Sequence, residues 1–329
     1  MLTMDDADRH VLEQLADREI RKVLTQGGVL TSVPTGEVSA VETMTLDGFA
    51  EIARAWEPFF SGAGYTIDLR AVFVHSRPWV SWKRADKSQG RCELADLLVV
   101  VDHLGATGAL QRQAVLIQAK LLKGGAFKLA GSEWVQFELL GEWPRFTFAS
   151  PGYDPLPRDF KVQERLSDEP RYSAEYGGID LAAGAWVQEL FESNGQLGKR
   201  ISFGRLLAGM IVGAPSFGRG AYQNGGDPWS FTIDELLRVT GALPITKAKA
   251  LNRGVSNPVG MFVAVAAHGP ATLSAAASHG DDGIRKPPKV EGSGEPGGVS
   301  TIRLIFTHKD RRSDDVPDEP ADPADVGHP

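Results

Sequence analysis

Three polar residues stand beside two apolar runs in the stretch CELADLLVVVDHLGATGALQRQAVLIQAK, residues 92–120. Asp96 precedes the run LLVVV, and Gln118 and Lys120 follow the run AVLI. Alternate side chains of a strand point to the same face, so Gln118 and Lys120 share one face and Ala119 takes the other. If the two runs form a hairpin with an even register, Asp96 joins that face. A carboxylate, an amide and an amine would then converge.

Two explanations fit such a convergence, because an isolated charge is too costly to bury without a partner. In the first, Asp96 and Lys120 form an ion pair that closes one end of a sheet, within a noncatalytic binding module. In the second explanation, the carboxylate, the amide and the amine together bind a ligand. The surrounding elements bear on this choice.

Those elements follow from hydrophobic periodicity. Helices are predicted near residues 5–25 and over TLDGFAEIARAWEPFF, where Thr45 is a candidate N-cap. The β-branched and aromatic stretch YTIDLRAVFVHSRPWVSW predicts a strand. The two apolar runs predict strands over about 94–103 and 112–122, joined as an antiparallel hairpin.

A helix capped by Ser132 is predicted over SEWVQFELLGEW, and a short strand over RFTFAS. The predicted order from residue 46 to residue 149 is therefore helix, three strands, helix, strand. Beyond residue 150, AWVQELFES, SFGRLLAGMIVG and SFTIDELLRVTGA predict helices, and VGMFVAVAAHG and VSTIRLIFTHK predict strands.

This order, with an acid on the second strand and a QAK element on the third, resembles the PD-(D/E)XK nuclease superfamily. The glutamine in place of the commoner glutamate is similar to restriction nucleases of the Mrr kind. The resemblance covers about 100 residues. It implies an α/β (α+β) fold with a restriction-endonuclease-like core, in which helices flank a mixed sheet, and a largely helical C-terminal extension.

Together with composition and periodicity along the chain, the resemblance predicts a domain organisation. We expect an N-terminal helix and loop at 1–44, a nuclease core at 45–150, a mainly helical extension for target or partner recognition at 151–265, a flexible loop at 266–300, a late strand at 301–312 and a disordered acidic tail at 313–329.

Phosphodiester hydrolysis is the chemistry that the resemblance implies. Asp96, Gln118 and the Ala119 backbone carbonyl would hold Mg²⁺, or Mn²⁺ in its place, because hard cations prefer oxygen ligands. Lys120 would orient the attacking water and stabilise negative charge in the transition state. Glu51 and Glu93 are alternative further metal ligands, although Glu93 falls on the opposite face of a regular strand and would need a bulge.

Other residues are candidates for substrate contacts. Gln136 falls where Mrr-like enzymes often carry an active-site glutamine, and a helix-surface amide is the alternative. Lys123 and Lys128 follow the QAK element and could track a phosphate backbone, where ordinary solvated charge is the alternative. His75 is a candidate general base or a core histidine.

Composition limits the function classes. The net charge of -7 argues against nonspecific coating of nucleic acid, although a local basic face can still bind phosphates. The single Cys92 rules out an intrachain disulfide and a multi-cysteine zinc site. No apolar run is long enough to span a membrane, so we expect a cytoplasmic protein. The resemblance implies DNA as the substrate, with RNA at the same site as the alternative. It also implies that the partner is a second copy of the chain or a defence-system protein.

Overall fold

A computed structural model describes residues 2, 4–74, 78–106, 110–125, 127–161, 170–191, 197–214, 216–222, 226–241 and 298–310. Several predictions from sequence lie outside these residues: the role of His75, the strand at VGMFVAVAAHG, most of the loop at 266–300, the end of the late strand and the acidic tail. The described fold is mixed α/β, with a mixed sheet flanked by helices.

Six α-helices are described: α1 (Asp6–Gln26), α2 (Glu37–Thr43), α3 (Phe49–Gly62), α4 (Glu133–Glu142), α5 (Phe203–Ile211) and α6 (Pro228–Gly241). A π-helical turn, Met44–Gly48, joins α2 to α3, and a 3-10 turn covers Pro170–Ser173. None of the helices in this part of the chain has the length and apolar character needed to cross a membrane.

Eleven strands are described: β1 (Tyr65–Val72), β2 (Trp79–Lys83), β3 (Gln89–Glu93), β4 (Leu97–Leu104), β5 (Leu110–Leu121), β6 (Phe146–Phe148), β7 (Ala174–Asp180), β8 (Ala185–Phe191), β9 (Leu197–Ser202), β10 (Arg219–Gly220) and β11 (Ser300–His308). The main sheet has the order β1-β11-β4-β5-β7-β8-β9, and β10 also pairs with β5. A smaller sheet has the order β3-β2-β6.

The centre of the main sheet is the antiparallel hairpin of β4 and β5, flanked by β11 parallel to β4 and β7 parallel to β5. All eight residues of β4 are buried. One face, represented by Val99 and Val115, packs against α1, α3 and α5. The other face, represented by Val100 and Leu116, packs against α4, α6 and the smaller sheet. Burial on both faces explains why these strands are continuous apolar runs in the sequence.

Much of the predicted secondary structure is confirmed: the helices α1, α3, α4, α5 and α6, the β4–β5 hairpin and the late strand β11. The predicted cap at Thr45 is wrong, and the cap at Ser132 is confirmed in position but without a capping hydrogen bond from its side chain. Thr45 lies inside the π-helical turn, where its hydroxyl donates to the Val41 carbonyl at 2.7 Å. Ser132 has helical dihedral angles, and the first-turn acid Glu133 accepts instead from the Ala130 backbone amide at 2.7 Å.

The predicted strand YTIDLRAVFVHSRPWVSW is two strands, β1 and β2, that belong to different sheets. Pro78 precedes β2 and lacks the amide that a continuous ladder would need. The strand after α4 also differs from expectation. RFTFAS forms β6 in the smaller sheet, whereas the strand parallel to β5 is β7, which begins only at Ala174.

The prediction of a largely helical C-terminal extension is wrong for the described residues, because β7, β8 and β9 extend the main sheet. AWVQELFES, predicted to be helical, contains β8. Its backbone pairs on both sides, with β7 and with β9. Along β8 the buried residues Trp186 and Gln188 point to one face of the sheet, and the half-buried Val187 and the buried Glu189 point to the other. Sheet pairing overrides the helical pattern.

One ionisable side chain of this sheet, that of Glu175, is buried without a hydrogen-bond partner among the described residues. Glu175 on β7 lies opposite Ile117 of β5 and is 0% exposed. Among the described residues, its two carboxyl oxygens have no hydrogen-bond partner. Burial raises the pKa of Glu175 to about 8, so the folded protein holds this side chain as a neutral acid at neutral pH.

This burial predicts a pH dependence of stability. Below the ordinary glutamate pKa of about 4.3 the side chain is neutral in both states, and its contribution is fully present. As the pH rises towards 8, the unfolded chain ionises first, and the free energy of unfolding falls by about 1.4 kcal/mol per pH unit. Glu175→Gln should remove this slope in urea unfolding between about pH 5.5 and about pH 7.5. The exposed Glu142→Gln should keep it, and equal slopes in wild type and Glu175→Gln would contradict the assignment.

Candidate active site

Asp96 lies immediately before β4 and continues its pairing with β5. Its backbone amide donates to the Ile117 carbonyl at 3.0 Å. The register that pairs Leu97 with Ile117 therefore brings Asp96 opposite Gln118. The Gln118 side-chain amide donates to Asp96 Oδ2, and the Ala119 backbone amide donates to the same oxygen at 2.9 Å. The hairpin thus has the even register expected from sequence, and the carboxylate and the amide meet at its open end.

Gln118 carries a buried oxygen that suits a cation. The residue is 1% exposed, and its Oε1 has no hydrogen-bond partner among the described residues. The nitrogen and oxygen of a glutamine amide are nearly equivalent in shape. A half-turn of the amide would therefore exchange them and place Oε1 beside Asp96 Oδ2. Two oxygen atoms would then lie side by side, as hard cations require.

Lys120 shares the face of Gln118 because it follows by two residues. Its Nζ lies 3.8 Å from Glu37 Oε1, and 12% of its side chain is exposed. Glu37 is the first residue of α2. The hydroxyl oxygen of Ser39 accepts from the backbone amides of Thr35 and Gly36 at 3.0 Å each and so stabilises the start of this helix. An acid from α2 therefore supplies a counter-charge to Lys120.

A cleft opens beside these groups and brings two carboxylates to one place. Its walls come from α2, from the residues after β1, from those before β4 and from the start of β11. Glu37 and Asp96 both line it, whereas most of the other lining side chains are apolar. Ser300 ties two of these walls together, because its hydroxyl donates to the Val74 carbonyl at 3.1 Å.

Sequence reasoning missed Glu37. The segment that contains it, QGGVLTSVPTGEVSA, has the glycine and proline content of a loop, and α2 covers only seven residues. The available signal was local: Glu37 directly follows Gly36, and Ser39 stands where its hydroxyl can reach back to the backbone amides before the helix. An acid in the first turn of a helix is also favourable for the helix dipole.

The two acids that sequence offered as further metal ligands lie elsewhere. Glu51 of α3 pairs with Arg54 and, at 3.0 Å, with Lys22 of α1. Burial raises the pKa of Glu51, but the hydrogen bonds from Lys22 and Arg54 outweigh burial and leave it lowered. Glu93 ends β3 in the smaller sheet, opposite Trp79. Neither acid is among the described residues that line the cleft.

A polar row extends the site across the sheet. Gln118 pairs with Tyr176 of β7, Tyr176 with Glu189 of β8, and Glu189 with Arg200 of β9, so all four side chains share one face. Burial raises the pKa of the Tyr176 hydroxyl, and nearby charges, including that of Asp96, raise it further. The side chains of Arg200 and Glu189 form an ion pair. Sequence reasoning missed this row because it assigned β8 to a helix.

The candidate substrate contacts surround this row. Gln136 is half-buried on α4, and its backbone amide bonds to the Ser132 carbonyl at 3.4 Å. Lys123 and Lys128 are exposed in the segment between β5 and α4. The Arg200 guanidinium donates to the carbonyl of Gly125 in the same segment. This contact connects β9 to the turn that follows the QAK residues.

The donor set determines what the site could hold. Across the described residues, no group of three or more His, Cys, Asp or Glu side chains comes together as a metal site. Here the charged oxygen ligands would be Asp96 and Glu37, and Gln118 would add a neutral amide oxygen. An oxygen-only set of this kind suits Mg²⁺ or Mn²⁺ rather than a softer metal. The buried Oε1 of Gln118, which no described residue contacts through a hydrogen bond, is the structural feature that fits such an ion.

Comparison of the chain with protein-family models, with curated proteins and with solved structures finds no match.

Proposed function

We propose that this chain is a metal-dependent nuclease that hydrolyses phosphodiester bonds in DNA, with a role in restriction or phage defence. One observation carries the proposal: Asp96 and Gln118 are in contact at the open end of the central hairpin, and Gln118 Oε1 is buried with no partner in the described part of the chain. Lys120 follows on the same face, beside a cleft that both Asp96 and Glu37 line.

The cation would be held by Asp96, Gln118 and Glu37, with the Ala119 backbone carbonyl as a further oxygen. When bound, Mg²⁺ would neutralise developing negative charge and acidify a water molecule. The Gln118 amide, which donates to Asp96 Oδ2 in the resting protein, would turn to present its oxygen, whereas the Ala119 backbone amide holds Asp96 Oδ2 in a defined position. Such preorganisation lowers the cost of assembling the ligands.

Lys120 would act on the substrate itself. Its ammonium group has three donors, which can orient the attacking water and contact a nonbridging phosphate oxygen as charge develops there. Glu37 holds the Lys120 side chain at the cleft in the resting protein. The same acid is therefore placed to position the amine and to contribute negative charge for a cation.

The choice of DNA and of a defence role rests on the resemblance to Mrr-like members of the PD-(D/E)XK superfamily. The residues that carry the resemblance are Asp96 before β4 and the QAK element at the end of β5, in the central antiparallel hairpin. Two features depart from the expected order: β11 lies between β1 and β4, and β6 belongs to the smaller sheet. RNA cleavage at the same site is the alternative, and the cleavage assay below distinguishes it from DNA cleavage.

Replacement of Lys120 tests the proposed chemistry. Lys120→Ala should reduce Mg²⁺-dependent cleavage of plasmid DNA by about 10²–10³-fold, because it removes a donor that stabilises the transition state. Plasmid, single-stranded DNA and RNA should be incubated in parallel with Mg²⁺ and with EDTA. Lys83→Ala, an exposed lysine of β2, is the matched control and should cleave like the wild type. Wild-type cleavage by Lys120→Ala would show that the assigned site is wrong.

Replacement of Asp96 separates cation binding from a structural ion pair. Asp96→Asn should leave the EDTA melting temperature close to that of the wild type. Mn²⁺ at about 100 times its Kd should stabilise the wild type by about 2.7 kcal/mol and raise its Tm by several degrees. The variant should show no such rise, and the exposed Asp6→Asn should respond like the wild type. A large loss of stability in Asp96→Asn, with no metal response in either protein, would favour the noncatalytic ion-pair alternative.

Paired replacements decide which helix acid belongs to the site. Glu37→Gln should weaken the Mn²⁺-induced rise in Tm and the cleavage rate, because it removes a charge that lines the cleft. Glu51→Gln should leave the metal response unchanged and lower stability only through its lost contacts with Lys22 and Arg54. Thermal melts and plasmid cleavage measure both effects. The opposite pattern would restore Glu51 as the further metal ligand.

A further inference from the structure

Tryptophan exposure is uneven in this protein. Of its seven tryptophans, five are at most 2% exposed: Trp56, Trp82, Trp143, Trp186 and Trp229. Trp134 is 56% exposed and Trp79 is 40% exposed. Trp79 has a charged neighbour, because the Arg91 guanidinium lies 5.1 Å from the centre of its ring. Trp134 is the more exposed of the two.

Trp134 is held in place although it is exposed. It lies in the first turn of α4, and its ring centre is 5.9 Å from that of Phe137, with an angle of 77° between the rings. This edge-to-face contact restricts the indole, so little side-chain entropy would be lost if a flat ligand bound to it. An exposed aromatic ring supported in this way is suited to stacking.

The segment that leads into α4 contacts the polar row of the candidate active site. The backbone amide of Ala130 in this segment donates to Glu133, the neighbour of Trp134, at 2.7 Å. Phe127 packs on the Tyr176 ring at 5.4 Å between ring centres, and Tyr176 pairs with Gln118. A strand of nucleic acid that reaches the site could therefore also reach the first turn of α4.

The segment between the QAK residues and α4 is locally basic. Residues 121–132 carry two lysines and no acid, in a protein whose net charge is -7. Both lysines, Lys123 and Lys128, are exposed. Lys128 directly follows Phe127, which contacts Tyr176. Positive charge is thus concentrated in the segment that leads into α4 and its exposed indole, as binding of a phosphate backbone requires.

We infer that Trp134, Lys123 and Lys128 form a binding surface for single-stranded nucleic acid, on which a base stacks on the indole and the lysines contact phosphates. The inference rests on the proposed function and specifies its substrate class. Bases of a duplex are already stacked on one another, whereas an unpaired base offers its face to an aromatic ring. Every base has such a face, so binding is tolerant of sequence.

Intrinsic fluorescence tests this surface without catalysis. A fluorescently silent oligothymidine of about 15 nucleotides, a length on the scale of single-strand sites, is titrated in EDTA into wild type, Trp134→Ala, Trp134→Phe and Trp79→Ala. The oligonucleotide should quench the wild type and Trp79→Ala. Quenching should be lost in Trp134→Ala, with about a ten-fold loss of affinity by a label-based assay, and Trp134→Phe should retain most of the affinity.

Salt dependence tests the lysines. Replacing both Lys123 and Lys128 by Ala should reduce the slope of log affinity against log salt by about 0.7 per lysine. A duplex of the same length should quench the wild type less than the single strand does. Wild-type affinity in Trp134→Ala, or equal quenching by duplex and single strand, would overturn the inference.

The nuclease assignment and the single-strand binding surface can be tested independently of each other. If Lys120→Ala cleaves like the wild type while Trp134→Ala loses quenching, the nuclease assignment fails and the binding surface stands. If Lys120→Ala abolishes cleavage while Trp134→Ala binds single strands like the wild type, the nuclease assignment stands and the binding surface fails.

Discussion

The register of the β4–β5 hairpin is the constraint on which the rest of the structure depends. Pairing of Leu97 with Ile117 brings Asp96 opposite Gln118, and the separate pairing of β5 with β7 places Gln118 beside Tyr176. A slip of one residue would turn the Gln118 side chain to the other face of the sheet and would bury Lys120 under the helices α1, α3 and α5. Because both faces of β4 are apolar and buried, such a slip is opposed by the packing of two separate clusters, one on each side. The same burial that stabilises the sheet therefore fixes the positions of the polar groups at its end.

Polar groups in the interior of this protein follow two patterns. Some are fully compensated: Asp102 of β4 is buried, yet its carboxylate accepts from Arg112 at 2.7 Å and from Arg303 at 2.6 Å. Burial raises the pKa of Asp102, but the two guanidinium groups outweigh burial and leave it lowered. Gln118 differs, because its amide nitrogen donates to Asp96 while its oxygen has no hydrogen-bond partner among the described residues. An unsatisfied buried oxygen needs an explanation, and a cation bound between Asp96 and the turned amide would provide one.

The arrangement around Lys120 shows how distant segments assemble one site. Asp96 and Lys120 come from the hairpin, Glu37 comes from a short helix that precedes it by more than fifty residues, and the cleft wall includes residues at the start of β11. The insertion of β11 between β1 and β4 makes the C-terminal part of the chain integral to the sheet that carries the site. The segment that bears Trp134 and the two lysines lies on the opposite side of the QAK strand in sequence, and Phe127 connects it to the polar row.

The sequence by itself determined the hairpin and the convergence of Asp96 with Gln118, because apolar runs and the alternation of side chains along a strand are local properties. It also determined five helices through their periodicity. Only the tertiary structure decided that β6 leaves the main sheet, that AWVQELFES forms β8 and that β11 enters the sheet centre, because pairing partners depend on segments far apart in the chain. The same reason explains why Glu37, rather than Glu51, lies at the cleft. Each acid is plausible from its own helix, but the choice follows from how α2 and α3 pack: Glu51 meets Lys22 and Arg54, whereas Glu37 meets Lys120.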